Sequence, residues 1–165
     1  MRKILNPRMS SLSAGLPVLS LVLIGCSSPE RTIDIEVTQV YAAEPVLGER
    51  AALYFTVINS GSSADELLSV STPVAGVAEI HRTIEDGDLM KMMPVQRLLA
   101  PAGTQLQLLP GGNHVMLLEL RRRLSPGDRF DATLHFRHAG EVTVRGLVLS
   151  YADLEEKLTA AQPED

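Results

Sequence analysis

The chain has 165 residues, a formal net charge of -5 at neutral pH, 45% hydrophobic residues, only 4% aromatic residues and a single cysteine. An acidic, aromatic-poor chain lacks the basic footprint of a nucleic-acid binder, and one cysteine cannot close an internal disulfide. Stability must therefore come from burial of apolar side chains.

In chain order, the first element is a targeting segment. Arg2, Lys3 and Arg8 precede the apolar run "SAGLPVLSLVLIGC", which is too short to span a bilayer comfortably but suits the centre of a secretory signal. Leu23-Ile24-Gly25-Cys26 resembles a bacterial lipobox. Residues 1–25 are thus expected to be a lipoprotein signal peptide, and residues 26–31 a lipidated N-terminus and short linker beginning at Cys26. That reading places the protein outside the cytoplasm, membrane-anchored through lipid, in the periplasm or on the outer face of the cell membrane. From Cys26 onward there are 12 basic and 20 acidic residues, a formal charge of -8, and once Cys26 is acylated no free thiol remains.

Residues 32–151 read as one β domain. Ile33, Ile35 and Val37 alternate with Asp34, Glu36 and Thr38; Leu53, Phe55 and Val57 keep the same period; Phe130, Ala132, Leu134 and Phe136 alternate with Asp131, Thr133, His135 and Arg137. Period two with one polar face marks half-buried antiparallel strands. Turns are written as "NSGSSAD", "EDGD", "PGGN", "SPGD" and "HAG", each rich in the residues that reverse a chain. Seven or more short strands predict an all-β, two-sheet sandwich with Greek-key links. Residues 152–165, "ADLEEKLTAAQPED", are expected to be a polar C-terminal tail with some helical character.

Within the domain, Met90, Met92, Met93 and Met116 fall inside one 27-residue window, with His81 upstream of it and His114 beside its last methionine. In "NHVMLLEL", His114 and Met116 share a strand face while Val115 and Leu117 point the other way. In "VAEIHR", Ala78 and Ile80 would face the core, which puts His81 and Glu79 on the opposite face. Methionine commonly fills core gaps. Here it keeps company with imidazoles, and neutral imidazole plus thioether is a soft, uncharged donor set suited to Cu(I). A blue-copper site needs a thiolate that this domain lacks, and zinc favours cysteine, histidine and carboxylate.

His81 is followed by ten residues and Met92, then by 21 residues and His114, then by one residue and Met116. This His-x10-Met-x21-His-x-Met pattern, with "GDLMKMMPV", "LLAPAGTQLQLLPGGNHVMLLEL" and "LSPGDRFDATLHFRHAGEVTV", resembles the periplasmic copper chaperones of the PCuAC family over most of residues 32–149. The resemblance implies a cupredoxin-like β-sandwich, with His81, Met92, His114 and Met116 as copper ligands. Met90, two residues before Met92, is a candidate secondary metal contact; Met93 and Leu89 are expected on the other face as packing. His135 and His138 flank a turn and are not expected to bind metal. The histidine- and methionine-rich C-terminal extension of some relatives is missing from "LTAAQPED".

The expected function is that of an extracytoplasmic Cu(I) metallochaperone. The resemblance implies delivery toward the copper centre of cytochrome c oxidase, with a partner such as its subunit II or another copper chaperone. The alternatives are copper storage or buffering, or a structural β-sandwich lipoprotein. No nucleophile and base pair stands out, so no enzyme activity is expected. Arg121, Arg122 and Arg123 follow the metal strand and would either steer an acidic docking surface or form a solvated strand end.

Overall fold

A computed structural model describes residues 31–46, 49–87 and 89–159. The expected signal peptide, the lipidation site Cys26 and residues 160–165 of the tail lie outside the described residues. Ten strands follow in chain order: β1 (Ile35–Ala43), β2 (Arg50–Asn59), β3 (Asp65–Ser71), β4 (Ala75–Asp86), β5 (Leu89–Pro94), β6 (Leu98–Ala100), β7 (Thr104–Leu108), β8 (Asn113–Leu120), β9 (Arg129–Phe136) and β10 (Glu141–Leu149). One helix, α1 (Tyr151–Thr159), ends the described chain.

The strands form a continuous hydrogen-bonded path, β5-β4-β8-β2-β1-β10-β9-β3-β6, with β7 paired beside β8 on β2. All pairings are antiparallel except that of β1 with β10, where Tyr41 faces Leu147. Leu53, Phe55, Val115 and Leu117 from one end of this path and Leu67, Leu98, Phe130 and Leu134 from the other share one buried cluster. The path therefore folds back on itself around a common core, which is the all-β sandwich that the alternating pattern predicts. Each fully buried leucine or phenylalanine contributes about 1.5–3 kcal/mol relative to exposure.

Alternation is strict in β9, where Phe130, Ala132, Leu134 and Phe136 are buried. It fails in β2, where Tyr54 and Thr56 are buried as well as Leu53, Phe55 and Val57. The outer face of β2 is covered. Tyr54 packs in a second apolar cluster with Ala43, Leu149, Leu154 and Leu158, and Thr56 Oγ1 donates to Gln39 Oε1 at 3.2 Å. Gln39 has φ 55° at the irregularity between Thr38 and Tyr41 in β1.

The cover is α1, so the expected polar tail begins as a docked amphipathic helix. Its start is capped: Ser150 Oγ accepts the Asp153 N–H at 3.2 Å and donates to the Asp153 carboxylate at 2.6 Å, which satisfies one of the free N–H groups of the first turn. Leu154 and Leu158, four residues apart, place both buried side chains of the helix on one stripe. Two buried polar residues tie the loops at the other side. Asn59 donates to Ser63 O and Ala100 O, and Asp65 accepts the N–H groups of His138 and Ala139 at 2.9 and 2.8 Å.

Candidate metal centre

The site is built on three neighbouring strands, β5, β4 and β8. The "PGGN" turn feeds β8: Gly111 takes φ 76°, a conformation that costs glycine little, and Leu109 N–H donates to Asn113 O. Beyond the turn, Val115 and Leu117 enter the core at 0% exposure. His114 and Met116 thus project from the opposite face. On β4 the core residue is Ile80, which turns Glu79, His81 and Thr83 to that same opposite face.

Register then brings the two histidines together. His81 stands directly opposite His114, and Glu79 opposite Met116. The imidazole centroids are 5.9 Å apart with ring planes at 75°. On the other flank of β4, Met92 lies opposite Thr83 and Met90 opposite Glu85. All four residues of the spaced pattern therefore share one face of the sheet, with Met92 diagonal to His81, a separation that long side chains bridge.

Hydrogen bonds orient the rings. His114 Nδ1–H donates to Gly112 O at 3.1 Å, which leaves Nε2 with its lone pair. The same carbonyl accepts the Thr83 N–H at 3.1 Å, tying the turn to β4. His81 Nε2–H donates to Glu79 Oε2 at 3.1 Å, which leaves Nδ1 as an acceptor. That Nδ1 is buried and has no hydrogen-bond partner among the described residues. Tyr54 stands behind His114 with ring centroids 6.4 Å apart; burial, with Tyr151 adding, raises its hydroxyl above the ordinary 10.0.

Exposure divides the set. His114 is 4% exposed, whereas Met92 is 64% and Met90 59% exposed on the edge strand β5. Met93 and Leu89 pair with Arg82 and Asp86 and so lie on the other face, as the spacing predicts. They do not pack there: Met93 is 49% and Leu89 67% exposed, on the strand that ends the path among the described residues. His135 is engaged elsewhere, with Ser71 Oγ 3.0 Å from Nε2 and Glu141 3.5 Å from Nδ1. Arg122 donates to Asp128 and to the carbonyls of Arg123 and Arg129. The arginines follow the end of β8 away from the "PGGN" turn, beyond Leu120, which pairs with Ala75, so they do not rim the histidine pair. Sequence reasoning gave no role to Glu79, Tyr54 or the Gly112 carbonyl. Only Glu79 left a signal, two residues before His81 on the same strand face.

Among the described residues, no three His, Cys, Asp or Glu side chains gather as a metal-binding group.

The "LpqE-like" lipoprotein family model matches residues 35–148. The chain belongs to the LpqE-like family. Among curated relatives of this LpqE-like chain, RP573 of Rickettsia prowazekii is 28% identical over 134 residues, covering 79% of this chain and 74% of that protein. A Leifsonia xyli subsp. xyli protein whose name calls it a lipoprotein, Lxx21020, is 28% identical over 126 residues, covering 70% of this chain and 75% of the other. Among solved structures, the copper-bound PCuAC domain from PmoF2 is 25% identical with a TM-score of 0.62, covering 73% of this chain and 98% of that one. The Cu(I) form of DR1885 from Deinococcus radiodurans is 30% identical with a TM-score of 0.52, covering 70% and 76%. The LpqE-like chain thus has the fold of PCuAC domains, a cupredoxin-like β-sandwich.

Proposed function

We propose that this LpqE-like protein is an extracytoplasmic copper chaperone that carries Cu(I) on His81, Met92, His114 and Met116. The observation that carries the reading is the register of β4, β5 and β8, which sets all four donors on one face with His81 and His114 opposed. The buried, partnerless Nδ1 of His81 is an acceptor in want of a donor or a cation. Two neutral imidazoles and two thioethers make an uncharged soft set, which suits the monovalent ion. Copper-bound relatives of the same fold support the cargo.

Copper is cargo here, so it must leave as well as bind. Met92 is the donor most open to solvent and sits on an edge strand, while His114 is enclosed. Ligand exchange therefore starts at Met92: a partner's soft donor displaces that thioether, copper is shared, and His114 releases last. Met90, on the same face one step farther from His81, is a secondary contact on the way out. The reading extends to a lipid anchor at Cys26 and to a copper-accepting partner such as cytochrome c oxidase subunit II or another copper chaperone. The lipoprotein family supports the anchor.

The test is Cu(I) affinity by competition with a chromophoric chelator, on residues 27–165 and on a variant with Met92 and Met116 both changed to leucine. Affinity falls by at least about tenfold per lost thioether, or about 1.4 kcal/mol each. Equal affinity in the two proteins refutes the ligand set.

A further inference from the structure

We propose that Glu79 is a positioning residue of this site: it commits Nε2 of His81 and thereby presents Nδ1 to copper, whereas His114 presents Nε2. The two imidazoles then bind through unlike ring nitrogens. This inference rests on the copper reading above and goes beyond it by assigning the donor atoms and what selects them.

A neutral imidazole carries one N–H, and a carboxylate can only accept. The 3.1 Å contact between His81 Nε2 and Glu79 Oε2 therefore places the proton on Nε2. Nδ1 is left with a bare lone pair out of reach of water. Such an acceptor without a donor costs about 1–3 kcal/mol. The other buried side-chain atom without a hydrogen bond among the described residues, Glu66 Oε2, still has Arg137 Nε at 2.6 Å as an ionic partner. Among the described residues His81 Nδ1 has no such neighbour, and a cation would satisfy its lone pair.

His114 is set the other way by a different device. Its Nδ1–H is spent on the Gly112 carbonyl, itself held by the Thr83 N–H, so Nε2 is the nitrogen left to donate. A main-chain carbonyl fixed by the "PGGN" turn orients one ring, and a side-chain carboxylate orients the other. Glu79 can do this because it precedes His81 by two residues on the same strand face and lies opposite Met116. Its 46% side-chain exposure keeps the carboxylate solvated. A carboxylate behind a ligating imidazole also makes the free nitrogen a better donor, and it places a negative charge beside an otherwise uncharged donor set. Direct binding by the carboxylate is disfavoured, since a hard oxygen is a poor ligand for Cu(I).

The experiment reads the ring nitrogens by long-range 15N–1H NMR on labelled protein, before and after adding Cu(I) alone. Before addition, His81 carries its proton on Nε2 and His114 on Nδ1; after addition, the nitrogens that shift are His81 Nδ1 and His114 Nε2. Copper bound through His81 Nε2 overturns the inference. Glu79→Gln keeps an acceptor carbonyl and retains the His81 proton position; lacking the charge, it binds Cu(I) more weakly than the parent but more tightly than Glu79→Leu. Glu79→Leu removes the acceptor, lowers Cu(I) affinity by about 10- to 100-fold and gives a mixture of His81 linkages. Parent affinity in the Glu79→Leu protein overturns the inference, with a thermal melt confirming that the variant is folded. A parent protein that binds no Cu(I) refutes the copper reading instead. In that event the metal-free spectrum still decides the role of Glu79, because a proton on His81 Nδ1 sinks it.

Discussion

His81 and His114 face each other across the β4–β8 ladder with ring centroids 5.9 Å apart and planes at 75°. Main-chain hydrogen bonds between adjacent strands hold this pair, so its spacing does not depend on a loop finding its place. Donors mounted on strands are more reproducibly placed than donors mounted on loops. The thioethers have the opposite character: methionine has three rotatable bonds and adapts to its surroundings. A rigid imidazole pair with adaptable thioethers suits a site that must hold an ion and then release it.

The three methionines of β5 should behave differently despite lying within four residues. Met92→Leu is expected to weaken Cu(I) binding by at least about tenfold. Met93→Leu should leave affinity within about threefold, since its register puts it on the other face, and Met90→Leu should do the same because it lies farther from His81. All three are more than 45% exposed, so stability should stay within about 0.5 kcal/mol. Chelator competition on the three variants checks this. An effect of Met90→Leu as large as that of Met92→Leu would move the first thioether to Met90.

The sandwich and the site face were legible because both rest on period two. Residues 78–81 and 114–117 each fix which side chain points inward, and the structure keeps that assignment. Other features were not legible, each for a physical reason. Tyr54 and Thr56 look solvent-facing in sequence, but α1 and Gln39 cover them, a tertiary effect with no local pattern. The helix itself did leave a signal, Ser150 with Asp153 three residues on and Leu154 with Leu158, hidden inside a stretch whose overall polarity reads as tail. Met93 and Leu89 look like packing by composition, yet β5 is an edge strand, and edge position is a property of topology. The direct opposition of His81 and His114 likewise needed the register, which spacing alone does not supply.

Tyr54 ties stability to alkaline pH. Its pKa is raised from 10.0 first by burial and then by Tyr151, so the folded state prefers the neutral phenol. The contribution is full below 10.0 and is lost as pH climbs through the higher folded value. Thermal melts from neutral to strongly alkaline pH should show a steeper loss in the parent than in Tyr54→Phe. At neutral pH the two should lie within about 1 kcal/mol, because no hydrogen bond from this hydroxyl is among those of the described residues. Parallel alkaline profiles would exclude Tyr54 as the group responsible.

Helix α1 should matter to the whole domain even though its sequence reads as a tail. Leu154 is 4% and Leu158 8% exposed, in a cluster that includes Tyr54, the residue behind His114. Leu154→Ala is expected to cost about 2–5 kcal/mol. Glu155→Ala, at an exposed position of the same helix, should cost less than about 0.5 kcal/mol. Urea midpoints of the two variants separate a docked helix from a loose tail, and equal midpoints would show that the helix contributes nothing to the core.

A last stability prediction concerns the turn that joins β2 to β3. A Cβ at Gly61 would clash with Thr32 O and stand 2.9 Å from Asp34 N, both main-chain atoms. The segment they belong to, just before β1, cannot retreat easily, because Ser60 N–H donates to Asp34 O and Ser63 N–H to Thr32 O. Gly61→Ala should therefore cost about 1–3 kcal/mol through overpacking. Gly112 has only Leu109 O at 3.6 Å from its would-be Cβ, ordinary contact, so Gly112→Ala should fold with near-parent stability. Chemical denaturation of the pair tests the difference. A Gly61→Ala midpoint equal to that of Gly112→Ala would mean that residues 32–34 shift away from the turn at little cost, and that the segment leading into β1 is less firmly seated than its hydrogen bonds to the turn imply.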